Sequence, residues 1–359
     1  MEQEYKYMVC TSCMTFNHAP YIVDALNGFT MQETTFPVYY LITDDASTDG
    51  EPDVIKQYLA DYFQTPYRTE ETDDYHLICA VHKTNPNCNF IVFLLKYNHY
   101  SIKKSKLPYQ AEWRDNAKYI SFCEGDDYWI HPKKLQTQVQ ALERSPDNVL
   151  CHTSIRFFYV YEKRFYESKD KQINSNFITK GLTPECLLKG YRIQTCSVVV
   201  KREAQQYVRS HNPFLFSGYF KMGDSQLWYF LSKMGNICYI PQTMCVYRKH
   251  AGSATRSSSI KAALRFSLSA QEWRLYISQE DNLDKALIDN CKISYAKSLI
   301  NYSCFDDDFK PLFPIEKLTI GLQCLMLLKR LHLLKPYLFI LFSNKNWLGY
   351  LKRTRKKEL

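Results

Sequence analysis

The chain has 359 residues, of which 45% are apolar and 15% aromatic, with a formal net charge of +9. This composition supports a sizeable core and excludes global disorder. The length suits one large domain with additions, or two domains. Lys345, Lys352, Arg353, Arg355, Lys356 and Lys357 crowd the C-terminus, so part of the positive excess is a tail property. With no base-reading motif elsewhere, nucleic acid is not an expected partner.

The opening MEQEYKYMVC has no basic stretch followed by an apolar one, so no signal peptide is expected there. Most of the thirteen cysteines sit in apolar runs, as small buried hydrophobes of a reducing, cytoplasmic compartment would. Cys10-Thr-Ser-Cys13 has no second pair at zinc-site spacing and lies in a strand-like run, so it reads as core.

Residues 7–16 form a β-rich apolar run. Residues 20–32 predict a helix, with Pro20 in its first turn and Ile22, Leu26 and Phe29 at helical spacing. A strand follows over 38–43, then a helix opened by Asp49-Gly50 with Val54, Ile55, Tyr58, Leu59 and Tyr62 on one side. Residues 76–81 and 118–123 read as further strands. Short apolar strands alternating with helices predict an α/β fold with a mainly parallel sheet flanked by helices, which binds ligands at the carboxyl ends of its strands. From about 150 to 250 the pattern is mixed, with a helix near 223–234. After about 258 it is helical, over IKAALRFSLSAQEWRLYI and LDKALIDNCKISYAKSLINY. Residues 316–342 hold two apolar pieces split by Lys329, Arg330 and Lys335, neither reaching the roughly 20 residues of a membrane span. A helix pair lying on an anionic membrane and a helical cap on the core are equally open readings.

Two motifs fall at strand ends. In LITDDASTDG (41–50), capping explains Ser47 or Asp49 but leaves the adjacent carboxylates Asp44 and Asp45 without a reason. A carboxylate there can accept from a nucleobase N–H or ribose hydroxyls. In EGDDYW (124–129), Glu124 and Asp126 present two carboxylates on a turn, spaced to share a hard divalent cation with phosphate oxygens, and a plain acidic surface turn is the other reading.

Together with TFNHAPYIVDAL (15–26), MQETTFP (31–37) and GDSQLWYFLSKMGNICYIPQTMCVYRKHAGS (223–253), these motifs resemble glycosyltransferases of family 2, with the GT-A nucleotide-sugar fold, over about residues 7–255. The resemblance implies a domain over 1–255, divided into a nucleotide-binding half (1–125) and an acceptor half (126–255). A helical extension with a basic tail (256–359) lies outside it. It further implies Phe16 beside the base, Asp44 and Asp45 toward uracil or ribose, and Glu124 and Asp126 in the D-x-D place. Asp126, Asp127 and His250 would hold Mn²⁺ or Mg²⁺, and Arg248 would approach the diphosphate. Asp224 stands at the catalytic base, although Gly223 replaces the family's usual Glu beside it. The small-Gly turn after the third strand is replaced by 82–90, followed by an extra loop before Tyr119. The implied activity is inverting, metal-dependent transfer from a nucleotide sugar, with UDP the default, to an acceptor hydroxyl. A saccharide or lipid-linked saccharide at the inner membrane face is the expected acceptor, in surface polysaccharide or glycolipid synthesis. A nucleotidyltransferase is disfavoured because residues 10–20 contain no glycine. An inactive sugar-nucleotide-binding or scaffold protein of the same fold is the alternative.

Overall fold

The computed structural model describes residues 5–179, 182–250, 259–303 and 311–313. Residues 316–359, which carry the expected membrane-contacting helices and basic tail, lie outside the described residues. In chain order the elements begin β1 (Tyr7–Thr15), α1 (Ile22–Thr30), β2 (Val38–Asp44), α2 (Glu51–Tyr62), β3 (Arg68–Glu71), β4 (Tyr75–Val81) and β5 (Cys88–Leu95). They continue with α3 (Leu107–Arg114), β6 (Ala117–Phe122), β7 (Tyr128–Trp129), α4 (Lys134–Glu143), β8 (Asn148–Tyr159), β9 (Arg164–Glu167), α5 (Asp170–Thr179) and α6 (Glu185–Lys189). Then come β10 (Val198–Lys201), α7 (Arg202–His211), α8 (Asp224–Met234), β11 (Asn236–Lys249), α9 (Ile260–Glu280) and α10 (Lys285–Ser303).

One sheet runs β3-β4-β5-β2-β1-β6-β10-β8-β11-β7, with β9 pairing off β8. Its centre, β5-β2-β1-β6, is parallel, as the α/β reading predicts. The flanks mix directions: β4 and β10 run antiparallel to their neighbours, while β8 and β11 run parallel to each other. Residues 82–118, expected as a replaced turn and an extra loop, hold a central strand, β5, and the helix α3. Every residue of β5 is buried, and it pairs with β2 over Cys88–Leu94. Burial on both faces erases the period-two alternation by which a strand announces itself.

The described residues fall into two compact units. One runs to Pro213 and adds Asp224–His250; the other comprises Phe214–Gly223 and residues beyond His250. In the first, α1 lays Ile22, Ala25, Leu26 and Phe29 against the sheet. The Phe29 ring stacks on Tyr40 at 4.8 Å and meets Trp129 edge-on at 5.1 Å. In the second, Glu272 of α9 is fully buried and accepts from the Tyr219 hydroxyl and the Leu312 amide, each at 3.2 Å. All cysteines of the described residues are free, and Cys10 and Cys13 are buried in β1. Among the described residues no helix is long and apolar enough to cross a membrane.

Phe29 joins α1 to β2 and β7, so Phe29→Ala leaves a cavity between three elements. The expected cost is about 3–5 kcal/mol, read as a lowered denaturant midpoint by tryptophan fluorescence.

Candidate active site

The carboxyl ends of β1, β2 and β6 are laced together by short side chains. Glu51, the first residue of α2, is fully buried. It accepts from the Thr15 hydroxyl, from the His18 amide at 2.8 Å and from the Ser47 hydroxyl at 2.9 Å. Burial raises its carboxyl pKa, and the three donors pull the other way. Further bonds tie the same two loops. The Asn17 amide reaches Ser47 Oγ at 2.8 Å, the Thr48 amide reaches Asn17 Oδ1 at 2.8 Å, and the Ala19 amide reaches Asp49 Oδ2 at 2.9 Å. Asn17 and Ala46 take positive φ, 56° and 62°, where the chain turns between these anchors.

The acidic turn after β6 lies alongside. The amides of Cys123 and Gly125 bond to the carbonyls of Ser12 and Met14, at 3.1 and 3.0 Å, extending the β1–β6 pairing past the strand. The approach is so close that a Cβ on Gly125 would sit 2.1 Å from Thr15 Oγ1. Glycine is therefore required between Glu124 and Asp126.

The three acids of this turn then diverge. Asp127 Oδ1 accepts the Arg248 amide at 2.8 Å, and burial followed by the charges of Asp126 and Glu124 pushes its pKa well up. Burial also pushes Glu124 up, to about 7, and the charges of Asp126 and Asp224 add to it. Burial opposes ionisation of Asp126 as well. There a 2.9 Å hydrogen bond to His250 Nε2 and the nearby imidazoles outweigh it and hold the carboxyl low. His250 arrives through register: β11 pairs β7 with Cys245 opposite Trp129 and Val246 opposite Tyr128, so the next turn of chain meets Asp126.

His18, Asp126 and His250 each offer one ligand atom, and these atoms lie within 4.8 Å of one another. Two imidazoles and a carboxylate form a donor set suited to a divalent metal. Asp127 stands outside this trio. Sequence reasoning missed His18; its signal was a histidine directly after the β1 strand end, in TFNHAP. It also passed over Glu51.

Arg248 is buried and committed. Its guanidinium donates to the Asp126 carbonyl at 3.0 Å and to Asp24, and lies between the rings of Tyr21 (4.7 Å) and Tyr128 (4.9 Å). Asp45 is also buried. Its carboxylate accepts from the amides of His99 (2.8 Å) and Tyr100 (3.1 Å) and pairs with Lys106 at 2.7 Å, so it anchors the extra loop before α3. Asp44 differs. Oδ1 accepts the Ser47 amide at 2.9 Å, but buried Oδ2 has no partner, and burial pushes the pKa up to about 6. Phe16 is exposed just past β1. Asp224 opens α8, with Oδ2 accepting from the Thr195 hydroxyl at 2.8 Å and Oδ1 from the Ser225 amide at 2.7 Å.

Two measurements test this geometry. Gly125→Ala should cost about 1–3 kcal/mol by overpacking, since the displaced atom is the Thr15 oxygen held by Glu51; thermal melts read it. For Asp44, the folded carboxyl keeps its proton up to about 6, against an ordinary 3.8. Folding stability therefore falls as pH rises between these values and stays lower above them, by about 3 kcal/mol. Asp44→Asn should melt higher than wild type at pH 7, with the difference shrinking toward pH 4.

A scan against protein-family models finds no match. Uncharacterized proteins of Mycobacterium bovis and Mycobacterium tuberculosis are 30% identical over 243 residues, which cover 66% of this chain and 58% of theirs. The match thus spans little more than half the length of those relatives. Among solved structures, S. aureus TarS in complex with UDP-GlcNAc overlaps at TM-score 0.47 with 14% identity, covering 83% of this chain and 73% of that one. A mannosyltransferase from Pyrobaculum calidifontis in complex with GDP-Man and Mn²⁺ overlaps at TM-score 0.47 with 12% identity, covering 99% and 90%. At these TM-scores the overlaps lend no weight to the reading of the site, which rests on its own contacts.

Proposed function

We propose that this chain is an inverting glycosyltransferase of the GT-A type, taking a sugar from a nucleoside-diphosphate donor, with UDP as the default nucleotide. The observation that carries the reading is the His18–Asp126–His250 trio at the carboxyl ends of parallel strands. A divalent ion held by the trio would offset the charge that develops on the departing diphosphate.

The chain's own residues supply the rest. Asp44 lies buried at the end of β2 behind the nucleoside subsite, and exposed Phe16 offers a face for the base. Asp45 shapes this subsite indirectly, by holding the Tyr97–Lys106 loop. Arg248 holds the acidic turn to β11, and from there its cationic field lies beside the diphosphate. Asp224, oriented by the Thr195 hydroxyl and the Ser225 amide, takes the proton of the acceptor hydroxyl as its oxygen attacks the anomeric carbon and the bond to the diphosphate breaks. Such base catalysis is worth ~10²–10⁴-fold. The acceptor is a hydroxyl of a saccharide or lipid-linked saccharide. The tail that would bring the protein to a membrane lies outside the described residues.

Thermal shift of the purified chain against UDP, GDP, CMP and dTDP, with and without Mn²⁺, tests the donor site. A nucleotide at 100 times its dissociation constant should add about 2.7 kcal/mol, and Asp126→Ala should abolish the metal-dependent part. With the matching sugar nucleotide, Asp224→Asn should lower kcat by ~10²–10⁴-fold while leaving donor binding intact. No shift with any nucleotide would discard the transferase reading in favour of a scaffold role.

A further inference from the structure

The strand pair β8–β9 forms a ribbon of rings and cations, IRFFYVYEKRFYE over 155–167. Tyr161 at its tip is 74% exposed, and Phe165 and Tyr166 of β9 are exposed as well. Register connects one face of this ribbon to the site. Val246 of β11 lies opposite Arg156 on one edge and Tyr128 on the other, and Arg248 lies opposite Phe158. Alternation then puts Arg156, Phe158 and Phe165 on the same face as Tyr128 and Arg248. The Tyr128 ring lies 4.9 Å from the Arg248 guanidinium, so this face runs from the exposed hairpin to the acidic turn.

Arg156 stands in the middle of it. Its guanidinium lies over the Phe165 ring at 4.3 Å, which orients the planar fork. Its ladder partner is Glu167, yet the two side chains form no ion pair. Its Nε is buried and meets no acceptor among the described residues. A buried donor left unpaired costs free energy that a ligand can recover. Glu162, the acid at the tip, is taken by the Tyr166 hydroxyl at 2.5 Å, while Lys163 and Arg164 stand exposed beside it.

We infer that this face receives the acceptor and that Arg156 binds an anionic group on it, a phosphate or a uronate carboxylate, so that the acceptor is an acidic saccharide. A guanidinium fork with free N–H groups matches two oxygens of either anion. The exposed rings beside it offer apolar faces to a sugar. The inference rests on the proposed function only in calling that saccharide the acceptor.

The test is binding of soluble probes to the full chain without nucleotide. Oligogalacturonate supplies carboxylates, short-chain polyphosphate supplies phosphates, and dextran is the neutral control. The basic stretch at 352–357 attracts any polyanion, so the readout is the difference between wild type and Arg156→Gln at one salt concentration. At least one acidic probe should bind, and Arg156→Gln should bind it at least ~10-fold more weakly, as loss of a charge-assisted hydrogen bond predicts. Arg156→Lys, which keeps the charge without the fork, should fall between them. The tighter probe tells carboxylate from phosphate. In the wild type, phenylglyoxal should modify Arg156 and that probe should protect it, read by peptide mass spectrometry, a result that needs no variant to fold. Equal binding by wild type and Arg156→Gln, or dextran binding as tight as that of the acidic chains, would overturn the inference. So would protection of Arg156 by UDP with Mn²⁺ instead, or capture by phosphatidylglycerol vesicles without binding of either acidic chain. Nucleotide-induced stabilisation of the same preparations reads the transferase proposal separately. If it appears while Arg156 makes no difference, that proposal stands. If it is absent while Arg156 holds the acidic chain, that proposal alone fails.

Discussion

One buried carboxylate, Glu51, receives hydrogen bonds from the Thr15 hydroxyl, the His18 amide and the Ser47 hydroxyl, and through them ties the loop after β1 to the loop after β2. Its place at the start of α2 adds the favourable field of the helix N-terminus. Everything else at the site is referred to this point. Thr15, held by Glu51, defines the surface on which Gly125 rests and the bond that orients His18. Ser47 gives its amide to Asp44 and its hydroxyl to Glu51. A change in this one acceptor would disturb the ion face and the nucleoside end together.

The second constraint is electrostatic. Glu124, Asp126 and Asp127 share one turn, Asp44 lies buried nearby, and the adjacent cation, Arg248, is already taken by Asp24 and a backbone carbonyl. Burial raises the pKa of Glu124, Asp127 and Asp44, so ionising them in the folded state costs free energy that hydrogen bonds only partly recover. Only Asp126 is held low, and it is the acid with histidine partners. The protein thus keeps one carboxylate ready to ligate and surrounds it with carboxyls whose charge is unfavourable until something positive arrives.

Much of this was legible in the sequence. The strands over 7–16, 38–43 and 118–123 and the helix over 20–32 were marked by apolar runs and helical spacing, and the acidic motifs were marked by their position at strand ends. What escaped was set by contacts distant in sequence. β5 is buried on both faces and carries no alternation. Asp45 faces the same strand end as Asp44, but a loop more than fifty residues later claims its carboxylate. Asp127 differs from Asp126 only in which way a tight turn points it. His18 and Glu51 look like ordinary loop and helix-start residues until Thr15 is seen between them.

The trio itself comes from three parts of the chain that only the sheet brings together. His18 follows β1, Asp126 follows β6, and His250 follows β11. The β1–β6 pairing fixes the first two, continued by the amides of Cys123 and Gly125 beyond the strands. His250 follows β11, which pairs with β8 up to Lys249 opposite Tyr159 and, on its other edge, with the two-residue strand β7, itself locked on both sides. Trp129 Nε1 bonds to the Cys196 carbonyl at 2.9 Å, and the Arg248 amide bonds to Asp127. A one-residue slip of β11 would turn Arg248 and His250 to the opposite face. The ladder with β8, which runs to Lys249 opposite Tyr159, sets the register of β11, and the bond from the Arg248 amide to the buried Asp127 carboxylate adds to it. Asp127 thereby helps to hold the strand end that carries His250.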